Sequence, residues 1–139
     1  MSYLLDTNVI SEPKQKMPNK KVLQWLKGLD YDEVFLSALT IGEIKKGAAK
    51  LESSRKKSDL HNWLDKLRVR FAGRILSITE ETFLVWANMY AEFERKGIVR
   101  PAFDSLLEAT ALENDLVLVT RNVRNFHGSA ATILNPWED

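Results

Sequence analysis

Short apolar runs alternate along the chain with longer stretches of helical periodicity. The apolar runs are YLL, VFLS, RILSI, LVLVT and ATIL. They are short, partly β-branched and bounded by polar residues, which is typical of strands. Strands that alternate with helices favour a parallel sheet covered on both faces. The pattern therefore predicts an α/β fold.

Capping signals mark where the predicted helices begin and end. The five predicted helices are 20–29 after an N-cap at Asn19, 37–50, 58–70, 80–96 between Thr79 and Gly97, and 102–114. The fourth helix carries an aromatic stripe of Phe83, Trp86, Tyr90 and Phe93, for which a core position is the simplest interpretation. Apolar residues on its other sides leave an oligomer contact possible.

Length and composition describe an ordinary globular protein. The 139 residues suit one domain, 1–139, with 45% hydrophobic and 28% charged residues. The absence of cysteine excludes disulfides and thiolate metal sites, and it fits a cytoplasmic location. Asp6 interrupts the first apolar run, so no signal peptide is predicted, and no run approaches the ~20 apolar residues of a membrane span.

The net charge of +1 does not indicate a class of partner, but basic residues cluster locally. PKQKMPNKK contains lysines and no acid, RKK occupies 55–57, and Arg121 and Arg124 lie near the C-terminus. Such clusters are usually solvated loops. They would gain a function if they surrounded an acidic site that binds phosphates.

Asp6 stands directly after the first predicted strand and is followed by Thr7 and Asn8. A single aspartate at such a place usually caps the following turn or helix. In an open parallel sheet, however, active sites lie outside the carboxyl ends of the strands. The stretch LLDTN therefore has both a structural and a functional interpretation.

Three further polar positions favour the functional interpretation. Glu43 lies in the early turns of the second predicted helix, although with Thr40 it also matches a capping box. Asp104 lies near the start of the last helix, where an acid also favours the macrodipole. Asn122 follows the strand LVLVT, as Asp6 follows YLL. Together these residues are expected at one edge of the sheet.

Converging carboxylates repel one another unless a cation offsets their charge. Since no cysteine or histidine cluster accompanies them, the site would be all-oxygen, which suits Mg²⁺ or Mn²⁺. Such ions bind phosphate oxygens, so the reaction class indicated is metal-assisted hydrolysis of a phosphodiester. A receiver domain or an Asp-x-Asp phosphatase fits poorly, because VFLSA has no acid and Asn8 replaces the second aspartate.

Four blocks of the sequence, LLDTNVISE, SALTIGEIKKG, FDSLLEATALENDLVLVTRNVRNF and ILNPW, together resemble the PIN-domain family. Within that family they are most similar to the VapC and FitB-type toxins of bacterial toxin–antitoxin pairs, over residues 3 to 137. The resemblance implies an α/β/α sandwich that cleaves RNA at a divalent metal held by Asp6, Glu43 and Asp104. It also implies a homodimer and a DNA-binding antitoxin whose tail enters the active-site groove.

The chain departs from the family pattern at three positions. The fourth acid of similar toxins falls at Asn122, and the alternative acid three residues later falls at Asn125. Glu108 stands where the family usually has a small residue. One turn after Asp104, Glu108 could serve the same site, or it could form a capping box with Ser105 or point to solvent.

Other polar residues near these blocks have supporting roles in this interpretation. The candidates for orienting carboxylates or waters are Thr7, Asn8, Ser37 and Thr120. Arg121 could contact a phosphate or pair with a carboxylate. The resulting hypothesis is a toxin that is a Mg²⁺-dependent endoribonuclease. The alternative, motivated by the amides at 122 and 125, is a catalytically weak PIN scaffold that mainly binds an antitoxin.

Overall fold

The computed structural model describes residues 1–138 and contains one five-stranded sheet. Its strands are β1 (Tyr3–Leu5), β2 (Val34–Ser37), β3 (Ile75–Leu76), β4 (Val117–Val119) and β5 (Ile133–Leu134). The strand order is β3-β2-β1-β4-β5, and all neighbouring strands are parallel. The predicted parallel sheet is confirmed, with all five apolar runs contributing a strand.

The helices of the described residues are α1 (Thr7–Ser11), α2 (Lys20–Lys27), α3 (Ala38–Ala49), α4 (Arg55–Arg70), α5 (Glu80–Arg95) and α6 (Ala102–Glu113). Short 3₁₀ turns occupy Glu12–Lys14, Tyr31–Glu33 and Val123–Phe126. The five predicted helices are confirmed, and the short α1 is an addition. The helix expected from 58 begins earlier, because the Ser54 side chain accepts a hydrogen bond from the Lys57 amide and acts as the N-cap.

Helices cover both faces of the sheet, because successive strand residues point to opposite sides. On one face Leu5 and Leu36 pack with buried residues of α1, α3 and α4. On the other face Leu4 and Leu118 pack against Leu107 of α6. The fold is therefore the three-layer α/β/α sandwich that the resemblance implied.

The outer helix α5 packs mainly on α6, where the Trp86 indole donates a hydrogen bond to Ser105 Oγ at 2.9 Å. The prediction that the whole aromatic stripe of this helix lies in the core is therefore wrong. Phe93 is buried, but Phe83 is 48% exposed and the neighbouring Leu84 is 55% exposed. The apolar surface that these two residues leave on α5 agrees with the oligomer contact considered above.

The parallel strands bring their carboxyl ends to one edge of the sheet. The Asp6 amide donates to the Val119 carbonyl at 2.9 Å and so fixes the end of β1 beside the end of β4. Ser37 ends β2 on the other side of β1, and Thr120 directly follows β4. The candidate residues at strand ends are therefore neighbours in space. Across residues 1–138, no helix has both the length and the apolar character needed to cross a membrane.

Candidate active site

Asp6 both caps α1 and stays at the edge of the sheet. Its Oδ1 accepts a hydrogen bond from the Thr7 amide at 2.7 Å, and its Oδ2 accepts one from Thr120 Oγ1 at 2.8 Å. The residue is only 7% exposed. Because two elements fix its carboxylate, Asp6 is held in one orientation at the carboxyl end of β1.

Glu43 faces Asp6 through Thr7. The Thr7 hydroxyl donates to Glu43 Oε1 at 2.8 Å, while the Thr7 amide contacts Asp6. The prediction of a capping box between Thr40 and Glu43 is wrong, because α3 begins at Ala38 and its N-cap is Ser37. Glu43 thus lies in the second turn of α3, where its side chain is directed toward α1 rather than its own helix terminus.

Asp104 lies in the first turn of α6, and it is half-buried. Its Oδ2 accepts a hydrogen bond from Asn125 Nδ2 at 3.0 Å. Burial raises the pKa of Asp104, and the negative charges of Asp6 and Glu43 raise it further. Asp104 is therefore close enough to Asp6 and Glu43 to be repelled by both of them, in line with the sequence interpretation.

The acidic cluster consists of Asp6, Glu43 and Asp104, three carboxylates at the carboxyl edge of the sheet. Burial raises the pKa of Asp6, although hydrogen bonds from Thr120 and Thr7 oppose that shift. None of the ion pairs found among residues 1–138 includes any of the three acids. The cluster is therefore a place where a cation would be stabilised.

The donor set fits a hydrated hard cation better than a fully protein-ligated one. Within the described part of the chain, no three acidic or histidine side chains form a ready ligand group for a metal. Mg²⁺ usually binds through one or two carboxylates and keeps several waters. The carboxylate oxygens of the acidic cluster lie near one another but do not form a complete ligand shell, which is compatible with an ion that keeps several waters.

Of the two late amides, Asn125 rather than Asn122 contacts the acidic cluster. The Asn122 backbone amide donates to Thr120 Oγ1 at 3.0 Å, and the residue itself is exposed. Asn125 instead offers its side-chain amide to Asp104. A direct role for Asn122 in catalysis stays a prediction.

The supporting residues divide into those that touch a carboxylate and those that do not. Thr7 and Thr120 donate to the acids, and Asn8 Nδ2 lies 3.5 Å from Asp6 Oδ2. Ser37 is buried and caps α3. The Arg121 guanidinium stacks on the Trp137 ring at 5.2 Å, so it faces a neighbouring groove rather than the acids.

Glu108 is neither a capping residue nor a surface residue, so both of those interpretations are wrong. It is fully buried and pairs with Arg100, with Nε to Oε1 at 2.9 Å and Nη2 to Oε2 at 3.2 Å. Ser105 donates instead to the Ala102 carbonyl. Burial raises the pKa of Glu108, and contacts with Ser129 and Arg100 oppose the shift. Arg100 has no sequence signal that could have revealed this contact.

A groove runs beside the acidic cluster from Asn8 toward α4. Its cationic side chains are Lys14, Lys16, Lys56 and Arg121, and two tryptophans, Trp63 and Trp137, also line it. Lys14 stacks over the Trp63 ring at 5.6 Å. Basic residues from three separated segments therefore meet in one groove. None of the three acids lines it, but Asn8 does, and Asn8 Nδ2 lies 3.5 Å from Asp6 Oδ2. We refer to this surface as the basic groove.

Comparison with known proteins agrees with the fold. The family described as PIN domain matches residues 3–128. The toxin FitB of Neisseria gonorrhoeae is 38% identical, over 98% of this chain and 99% of its own. A VapC ribonuclease of Sinorhizobium fredii is 30% identical over 97% of both chains. The crystal structure of FitAcB from Neisseria gonorrhoeae superposes with a TM-score of 0.93 at 37% identity, covering 99% of both chains.

The likeness to FitB extends over nearly the whole length of both proteins, in sequence and in structure. The matched family region includes all three residues of the acidic cluster. This chain therefore belongs to the PIN-domain family, in the group that contains the toxin FitB and the VapC ribonucleases.

Proposed function

We propose that this protein is the toxin of a type II toxin–antitoxin pair and acts as a Mg²⁺-dependent endoribonuclease. The observation that carries the proposal is the acidic cluster at the carboxyl end of the sheet, whose charge no basic side chain of residues 1–138 neutralises by an ion pair. Relatives named as a toxin and as a ribonuclease support the same activity. The reaction is hydrolysis of an RNA phosphodiester bond.

Asp6 and Asp104 would hold the Mg²⁺ ion, and Glu43 would contribute directly or through a water. Mn²⁺, with the same preference for oxygen, is the expected substitute. When bound, the cation lowers the pKa of a water and offsets the charge that develops on the phosphate. Thr7 and Thr120 hold the Asp6 carboxylate in one orientation, since their hydrogen bonds reach both of its oxygens, and they would so prepare it to bind the cation.

The basic groove binds the RNA strand that leads to the acidic cluster. Lys14, Lys56 and Arg121 offer positive charge to the phosphates. Trp63 and Trp137 offer rings on which unpaired bases can stack. The preferred substrate is therefore an unpaired RNA segment, which can expose its bases to those rings.

An antitoxin and a second copy of the chain are the expected protein partners, and the cytoplasm is the expected location. A cavity of about 420 Å³ between α2 and α4, lined by Leu23, Leu26 and Phe71 among others, accepts an apolar antitoxin segment. A basic residue of the antitoxin tail neutralises the acidic cluster in place of the cation. The exposed Phe83 and Leu84 of α5 contribute to the homodimer contact.

The alternative of a catalytically weak scaffold rested on the amides at 122 and 125. The contact between Asn125 and Asp104 favours the enzyme instead. An amide at 125 donates a hydrogen bond to a carboxylate of the site, which an ionised acid at that position could not do. The residue therefore serves Asp104 rather than leaving a ligand position empty.

Expression of the chain without an antitoxin should arrest bacterial growth, and Asp6→Ala should relieve the arrest. The variant removes one of the two carboxylates that hold the cation, so RNA cleavage should stop. Growth curves at matched protein levels measure the effect, and RNA from arrested cells should show new fragment ends. Asp65→Ala, at an exposed acid of α4, is the matched control and should stay toxic. Equal toxicity of wild type and Asp6→Ala would refute a metal-nuclease cause.

A further inference from the structure

Arg100 connects the buried part of α6 to the segment that follows β4. Its guanidinium binds Glu108 through two nitrogens, at 2.9 and 3.2 Å. The same group donates to the Asn125 carbonyl at 2.9 Å and to the His127 carbonyl at 2.8 Å. The Phe93 ring lies 4.2 Å below the guanidinium carbon, and Arg100 is only 3% exposed. One side chain therefore fixes both an acid and a loop backbone.

The loop held by Arg100 is the one that contacts the acidic cluster. The 3₁₀ turn Val123–Phe126 has no side-chain N-cap, and Phe126 packs into the core while Asn125 stays at the surface. Asn125, in this turn, donates its side-chain amide to Asp104 Oδ2. Asp104 and Glu108 lie one helical turn apart on α6, so the contacts close a ring from Glu108 through Arg100 and Asn125 back to α6.

An ionic pair at this position needs a reason other than stability. A buried ion pair is often no more stabilising than apolar residues of similar volume, because desolvation offsets the attraction. Apolar side chains, however, could not bind the carbonyls of Asn125 and His127. The charge of Glu108 is already balanced by the buried Arg100 guanidinium, which leaves this acid poorly placed to act as a metal ligand.

We infer that Arg100 and Glu108 are positioning residues: the pair holds the 123–128 segment so that Asn125 orients the Asp104 carboxylate for the cation. This inference rests on the proposed function, since it gives the cation site its geometry. Arg100 and Glu108 do not touch the cation or the RNA. Their contact with the acidic cluster runs through Asn125, whose side chain donates to Asp104.

The test is Mn²⁺ binding to the purified protein, measured by calorimetric titration without RNA. Arg100→Met combined with Glu108→Leu removes both charges together and so leaves neither buried alone. We expect Mn²⁺ affinity to fall by about 10-fold, which is the smallest effect usual when a residue that hydrogen-bonds to a metal ligand is removed. Hydrogen exchange of the 123–128 amides should accelerate. The matched control is Glu92→Gln with Arg95→Gln, a surface pair of α5, which should leave both readouts unchanged.

A double-mutant cycle tests whether the pair acts through Asn125. Asn125→Ala alone should weaken Mn²⁺ binding by a similar factor, and adding it to the Arg100→Met/Glu108→Leu variant should weaken binding no further. If the apolar variant does not fold, Arg100→Lys replaces it, since lysine keeps the charge but cannot make all four contacts. It should also bind Mn²⁺ less tightly.

Unchanged Mn²⁺ affinity in the Arg100 variants would overturn the inference and leave the proposed function standing. If the losses of Mn²⁺ affinity caused by Asn125→Ala and by Arg100→Met/Glu108→Leu were additive in the combined variant, the proposed action through Asn125 would be overturned. A wild-type chain that binds no Mn²⁺ would overturn the proposed function, and the inference with it. The three results are distinct, so each failure can be assigned.

Discussion

Replacing Asp6 with asparagine is expected to lower the rate of RNA cleavage by at least about 100-fold while the fold stays intact. Removing a residue that only hydrogen-bonds to a metal ligand lowers metal affinity or activity by about 10–100-fold. Because Asp6 is proposed to be a ligand itself, its loss should have at least the upper value of that range. Asparagine keeps the shape of the side chain. Its oxygen can still accept from the Thr7 amide, and the Thr120 hydroxyl can accept from its nitrogen.

The measurement is the initial rate of cleavage of an end-labelled, single-stranded RNA at saturating Mg²⁺. Asp65→Asn, which removes an exposed acid from α4, is the matched control and should cleave at the wild-type rate. An Asp6→Asn protein that cleaves RNA within a factor of a few of wild type would contradict the assignment of Asp6 to the cation site.

The same variant should be more stable than wild type when no divalent cation is present. Burial raises the pKa of Asp6, so the ionised form costs folding free energy at neutral pH. Asparagine removes that cost. The difference in melting temperature should be present at pH 7 and should vanish below the unfolded pKa of about 3.9, where wild-type Asp6 is itself neutral. An activity loss joined to a stability gain is typical of a functional acid.

Glu108→Ala should produce the largest loss of stability of the variants considered, about 3–5 kcal/mol of unfolding free energy. The substitution leaves the Arg100 guanidinium buried without its counter-ion, and it opens space in a fully buried position. Chemical unfolding at neutral pH measures the effect.

Glu92→Ala is the control for Glu108→Ala, because it also removes a glutamate from an ion pair with an arginine. That pair, with Arg95, lies on the surface of α5, where screening by water makes such contacts weak. Glu92→Ala should leave the unfolding midpoint unchanged. If Glu108→Ala changed the unfolding free energy as little as this control does, the claim that the buried Arg100–Glu108 pair holds α6 and the 123–128 segment together would be contradicted.

The fold and the position of the candidate site residues could be predicted because they follow local rules. Each apolar run is short and flanked by polar residues, so each became a strand. Asp6 could be placed at the edge of the sheet because the carboxyl ends of parallel strands share one edge, and a residue directly after β1 is located by that rule alone. That residues 1–139 form a single domain stays a prediction.

The contacts that sequence reasoning missed depend on positions far apart in the chain. Arg100 meets the Asn125 carbonyl across 25 residues, and no spacing rule connects them. Local rules also misled where two signals competed. Thr40 and Ser105 both match capping boxes, but α3 is capped by Ser37 and α6 starts after Pro101. Which residue becomes the N-cap depends on where the tertiary structure makes the helix begin.

The exposed Phe83 shows a further limit of helical periodicity. Its spacing from Trp86 and Phe93 is that of a core stripe, yet α5 lies on α6 at the outside of the sandwich. A helix in an outer position buries a narrower strip than one that packs directly on a sheet. Sequence periodicity gives the direction of an apolar face but not the layer in which the helix lies.

The central claim is that the acidic cluster makes this PIN-domain protein a metal-dependent ribonuclease. The most direct test incubates the purified wild-type chain with single-stranded RNA in excess chelator, and then in the same buffer with excess Mg²⁺ or Mn²⁺. The account predicts intact RNA in chelator and internal cleavage once either cation is restored. Equal cleavage in chelator, or intact RNA with both cations, would contradict it.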